Sequence, residues 1–222
     1  MRPVTSIIAV VGSALLLAAC NEQTNSQQPR SQAAAPATQS DLALQVRSAS
    51  GISAQRLITG EQAGSLVINA QGIQLLDSNE SPVAAALPGY YDTLAVQPGT
   101  TGLLAASHDL QRDQPVILRW NATGAASAPE YLPSTGYPLE DLCFYRDQSE
   151  HNYLFLVGEE GLGQQWLIGE QGAPSRLVRN LHLPVGAKGC AVNTALDALF
   201  ISEEEIGIWQ YAAHPETDST RR

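Results

Sequence analysis

The sequence predicts an all-β chain, and within that class a β-propeller, from three observations. From Leu42 onward, short apolar runs rich in Leu, Val, Ile, Tyr and Trp are punctuated by Gly, Asn, Asp, Pro and Ser, the pattern of strands joined by tight turns. No segment sustains apolar residues at i, i+3 and i+4 long enough for a helix. The runs also recur: Leu57-Ile58-Thr59, Leu103-Leu104-Ala105, Leu154-Phe155-Leu156 and Leu199-Phe200-Ile201 begin comparable units about 46, 51 and 45 residues apart, a period that suits a four-stranded blade. An immunoglobulin-like sandwich is also strand-rich, but it has no period near that length.

Each element follows in chain order. Met1 to Ala19 reads as a secretory signal: Arg2 supplies the positive start and residues 7–18 the apolar stretch, which is short for a bilayer span. Leu17-Ala18-Ala19-Cys20 resembles a bacterial lipobox, which implies cleavage before Cys20 and lipidation of that cysteine. Asn21 at the next position suggests the outer membrane of a Gram-negative cell envelope. Residues 20–41 are Gln, Ser, Thr, Ala, Pro and Asn with almost nothing to bury, so a disordered tether is expected there. The propeller is assigned to residues 42–214, and 215–222 read as a polar tail. Within the propeller each recurring run is followed by a turn and a second apolar run, at residues 65–69, 115–120, 165–168 and 206–209. That gives four blades or nearly four.

Composition bounds the partners. The formal net charge is −10, which argues against a nucleic-acid partner because phosphate backbones demand Lys and Arg. Cys143 and Cys190 each stand near the start of an apolar run, and two readings stay open for them. An oxidising compartment permits a disulfide; buried free thiols behaving as small hydrophobes are the alternative. His108, His151, His182 and His214 fall in different units without metal-ligand spacing, and surface or loop positions are expected for them. The chain has no G-x-S-x-G elbow, no C-x-x-C and no phosphate-cradling glycine loop.

Residues 188–211 are the most informative stretch. Three consecutive carboxylates, Glu203 to Glu205, sit in a turn between the run Leu199-Phe200-Ile201 and the run carrying Ile206, Ile208, Trp209 and Tyr211. Such a turn can bind a hard cation such as calcium, or it can be a solvated acidic loop.

The stretch resembles the β-propeller phytases, whose E-G-C-x-A-D and L-Y-I-A-E-E-D-x-x-I-W-x-Y patterns fall on Lys188-Gly189-Cys190 and residues 199–211. The resemblance extends from about Arg56 to Pro215. It implies a six-bladed family of calcium-dependent enzymes that hydrolyse phosphate monoesters of inositol hexakisphosphate (phytate). On that resemblance Asp92, Glu203 and Glu204 match metal-associated positions, and Glu160, with Gln165 nearby, matches a retained site position with a catalytic role. Several family charges are altered. Gln62 and Glu159 replace lysines, Asp109 replaces a phosphate-binding arginine, Glu140 replaces a tyrosine, and Lys188 replaces the ligand glutamate of E-G-C. Phosphoryl chemistry depends on preorganised positive charge, so these changes point to a weak or inactive copy. A second reading is therefore a non-catalytic, lipid-anchored propeller module that docks to a full catalytic propeller or another partner.

Overall fold

In the computed structural model, the described residues are 45–49, 52–59, 62–99, 102–170 and 172–217, with side-chain environments from residue 64 onward. The expected signal segment, Cys20 and the tether lie outside them, as do the last residues of the expected tail. The described residues contain fifteen strands in four antiparallel sheets, each a sequential meander. The first sheet is β1 (Gln45–Ala49), β2 (Ile52–Thr59), β3 (Gln62–Asn69) and β4 (Gly72–Leu76). The second is β5 (Tyr91–Pro98), β6 (Gly102–Asp109), β7 (Gln114–Asn121) and β8 (Glu130–Tyr131). The third is β9 (Leu139–Arg146), β10 (Asn152–Gly158), β11 (Glu160–Leu167) and β12 (Arg176–Val185). The fourth holds β13 (Ala187–Asn193), β14 (Ala198–Glu203) and β15 (Gly207–Ala212). A single 3-10 turn, Thr194–Leu196, is the only helical element among the described residues; no described helix is long and apolar enough to cross a membrane.

These sheets are the blades of a propeller arc, because apolar cores form between sequence-consecutive sheets. Leu66, Ile73, Leu94, Val116 and Leu118 join the first to the second. Ala106, Ile117, Leu142, Leu154 and Leu156 join the second to the third. Tyr145, Phe155, Leu181, Leu199, Ile201 and Tyr211 join the third to the fourth. Alternation along a strand divides its side chains between two cores. On β10, Leu154 and Leu156 face the second blade while Tyr153, Phe155 and Val157 face the fourth. A strand covered on both faces reads as a continuous apolar run, which is why β6 and β10 carry the sequence period; β14 carries it with Leu199 and Ile201 in the third of these cores. The recurring runs are thus second strands; each blade begins one strand earlier, at β1, β5, β9 or β13.

Turns are set locally by Asx geometry. Asp109 Oδ1 accepts from the amides of Gln111 (3.0 Å) and Arg112 (3.1 Å) in the β6–β7 turn. Asp147 Oδ1 does the same for Ser149 and His151, both at 2.9 Å, between β9 and β10. Side-chain oxygens of this type mimic a backbone turn and fix where a strand stops. Gly72 is required by close packing: its φ is 123°, and a Cβ there would lie 1.9 Å from the Leu87 carbonyl oxygen.

Polar contacts tie the blades together. Arg119 Nη2 donates to Glu130 Oε2 (2.8 Å) and to the Gly169 carbonyl (3.0 Å), and Glu130 Oε1 accepts from the Ser175 amide (2.8 Å), linking the second and third blades. Gln165, fully buried, donates to the Ala213 carbonyl (2.8 Å) and accepts from Arg179 Nε (2.7 Å). Arg179 also donates to the carbonyls of Ala212 and Thr217, so the start of the expected polar tail is held against the third blade.

Candidate functional site

The meander places the start of each first strand and the end of each second strand at one end of its blade. Neighbouring first strands lie side by side in the same direction. At their starts, Asp141 Oδ2 of β9 accepts from the Cys190 amide of β13 (2.8 Å), and near their ends Arg146 of β9 donates to the Pro98 carbonyl of β5 (2.8 Å). The strand starts and the turns after β6, β10 and β14 therefore share one end of the arc, and the residues singled out in the sequence converge there.

Three of the four first strands, β5, β9 and β13, slip register near their starts: between Tyr91 and Leu94, between Leu139 and Asp141, and between Ala187 and Gly189. The residues within these slips include Asp92, Glu140 and Lys188. A bulge re-aims side chains out of the ladder, and here it presents a charged residue from each of the second, third and fourth blades at the same end.

Two ionic clusters result. In the first, the His108 ring, only 7% exposed, stands between two carboxylates. Its Nε2 is 3.2 Å from Asp113 Oδ1, and its Nδ1 is 3.5 Å from Asp92 Oδ2, an ion-pair distance rather than a well-formed hydrogen bond. The Asp92 carboxylate, more than burial opposes it, raises the His108 pKa above the ordinary histidine value, and Asp113 adds to the rise. Burial pushes Asp92 up, but His108 and the Thr93 amide, 2.6 Å from its Oδ1, together hold it below the ordinary carboxylate value. His108 departs from the surface or loop position expected of it: it is buried on β6, where its neighbours come from another strand and from a turn.

In the second cluster, Lys188 Nζ donates to Glu159 Oε1 (2.9 Å) and lies 3.3 Å from Glu140 Oε2. Glu159 first, and Glu140 after it, raises the Lys188 pKa, and Lys188 lowers that of Glu159. Asp141 lies beside them. Burial raises its pKa against the amides of Cys190 and Leu142 that it accepts. Tyr137 packs its ring on Gly158, where a Cβ would lie 2.4 Å from it, and burial pushes its hydroxyl up to about 12.

The expected site residues divide among these surroundings. Asp92 belongs to the histidine cluster. Glu160 is exposed at the start of β11; its neighbour Glu159 is the carboxylate drawn into the ionic network. Glu203 accepts from Trp209 Nε1 across the β14–β15 hairpin. Glu204 is exposed, its amide donating to the Gly186 carbonyl (3.1 Å), while the Gly186 amide donates to the Glu159 carbonyl (2.8 Å). Gly186 thereby ties the two acidic turns of the third and fourth blades together. Among the described residues, no three His, Cys, Asp or Glu side chains come together to hold a metal ion. Cys143 and Cys190 form a disulfide between β9 and β13, with Cα atoms 6.0 Å apart.

Arg112 and Lys188, the cations that the described residues place at this end, are engaged. Arg112 lies 3.5 Å from Asp109 Oδ2 and 4.5 Å over the Tyr131 ring. Asp109, 4% exposed, is a turn cap instead of a substrate-facing group. Sequence reasoning marked Lys188 and Glu159 as two separate losses. In the structure the two residues meet, Lys188 pairing with Glu159 across the seam between the third and fourth blades. The signal was two opposite charges, Glu159 just after one recurring run of the repeat and Lys188 ahead of the next.

No family model matches the chain, and no curated protein matches it. Solved structures with a similar course include an exo-β-1,3-galactanase from Phanerochaete chrysosporium, at 7% identity and TM-score 0.49, over 81% of this chain and 49% of that one. A computationally designed protein, Ika8, matches at 8% identity and TM-score 0.47, over 78% of this chain and 62% of that one. PorZ, a surface component of the type-IX secretion system of Porphyromonas gingivalis, matches at 13% identity and TM-score 0.37, over 75% and 25%. The chain spans about half the length of the galactanase. The propeller assignment rests on the sheet order and the three inter-blade cores.

Proposed function

We propose that the chain is a non-catalytic, phytase-like propeller module of the bacterial cell envelope, lipid-anchored through Cys20 at the outer membrane and docking to a full propeller copy or another partner. The observation that carries this reading is the state of the charges at the end of the arc where the first strands start, the axial end. Arg112 and Lys188 are paired with carboxylates of the same end, and His108 is enclosed by Asp92 and Asp113. An oligophosphate needs free positive groups or bound divalent ions. Paired cations and an acidic surround offer neither.

A second reading keeps the activity that the resemblance implies: calcium-dependent hydrolysis of phosphate monoesters of inositol hexakisphosphate, with Glu160 in a catalytic role and Asp92, Glu203 and Glu204 as metal positions. It is favoured by the match of residues 199–211 to the family pattern, and Glu160 and Glu204 are both exposed at the axial end. Phosphate release from inositol hexakisphosphate by the purified chain, with calcium and with a chelator, separates the two. The module reading expects no release above background in either condition.

A further inference from the structure

We propose that Lys188 is a built-in cation that takes the seat a divalent ion would otherwise fill between the third and fourth blades, so that this end of the arc is held together without metal. Lys188 rises from the bulge of β13 and its ammonium bridges two carboxylates of the neighbouring blade, Glu159 at 2.9 Å and Glu140 at 3.3 Å. Glu140 comes from the bulge of β9 and Glu159 from the turn after β10, so the ammonium joins two elements of one blade to the first strand of the next. A third carboxylate, Asp141, is committed to backbone amides at the same seam, including that of Cys190.

A divalent ion between blades does the same physical work, collecting carboxylates from separate strands around one positive centre. Here the ammonium supplies that centre and repels a second cation at this distance. The pair does not depend on which strand carries the cation: a carboxylate at 188 and a cation at 159 would make the same pair with its ends exchanged. Where the sequence resemblance leads to a calcium ligand, the structure thus holds an internal ion pair.

The test uses the full chain purified in detergent, with calcium chloride or EDTA, read by thermal melting and by equilibrium dialysis against radioactive calcium. The wild type is expected to melt at the same temperature in both media and to retain no calcium. Lys188→Glu gathers carboxylates without a counter-ion, so its melting temperature in EDTA is expected to fall by about 2–4 °C. Calcium is expected to restore it. Lys188→Met is expected to lose stability equally with and without calcium, which separates loss of the pair from gain of a metal site. The exchanged double variant, Glu159→Lys with Lys188→Glu, is expected to regain stability in EDTA and keeps the test decisive if Lys188→Glu alone does not fold. A wild type that retains calcium and melts higher with it would overturn the proposal. So would a Lys188→Met chain as stable as the wild type, or an exchanged variant no better than Lys188→Glu in EDTA. Dialysis reads metal and phosphate release reads turnover, so this proposal and the functional one can fail independently.

Discussion

At the residue scale, the structure assigns His108 a role that its spacing in the sequence concealed. The groups facing it are Asp92 and Asp113, and the sign of its contribution follows from the direction of each shift. His108 is raised in the folded chain, so the stability it supplies is complete below the unfolded histidine pKa of about 6.5 and is lost as pH rises through the folded value. Asp92 is lowered; its contribution is present above an unfolded pKa of about 3.9 and fades as pH falls through the folded value. Urea unfolding from about pH 6 to about pH 8 is therefore expected to show a decline in the wild type that His108→Gln flattens. A decline of equal size in the variant would remove His108 as its source. None of this was legible in the sequence. Asp92 and His108 are brought together by the pairing of β5 with β6, and Asp113, five residues after His108, by a turn that matches no metal-ligand or catalytic motif.

At the element scale, the second strands were the easiest to read and the first strands the hardest. Leu154 and Leu156 on one face and Tyr153, Phe155 and Val157 on the other make β10 apolar from Tyr153 to Val157, whereas β9 and β13 open with Glu140-Asp141 and Lys188-Gly189 at their bulges. A bulge breaks the period of two that identifies a strand. The core predicts a large effect for truncation: Phe155→Ala is expected to cost about 3–5 kcal/mol in denaturant unfolding, because Phe155 is fully buried between the third and fourth blades. The disulfide closes a loop between the same blades with a sequence separation of 47. Cys143→Ser is expected to lower stability by about 2–4 kcal/mol, and reductant is expected to destabilise the wild type but not the variant. Gln165, recognised only as a retained polar residue, proves to be buried between the Ala213 carbonyl and Arg179. Gln165→Ala is expected to cost about 1–3 kcal/mol, since the groups it satisfies lose a partner.

At the scale of the whole molecule, the period of the sequence and the order of the sheets agree on a propeller arc, since each blade is a local meander and local pairing leaves its mark on sequence. The state of the axial end depends on pairs from different blades, Lys188 with Glu140 and Glu159 above all, and sequence alone revealed the reversed charges without showing that they meet. Attachment to the membrane belongs to this scale too. Cys20→Ser is expected to shift the chain from the membrane to the soluble fraction of fractionated cells, and an unchanged distribution would remove the lipid anchor. The measurement that bears most directly on the account is phosphate release from inositol hexakisphosphate by the purified chain, with calcium and with chelator. The paired axial charges predict none above background in either condition, whereas calcium-dependent turnover of about one per second or faster, within the ordinary range of enzymes, would contradict a non-catalytic module.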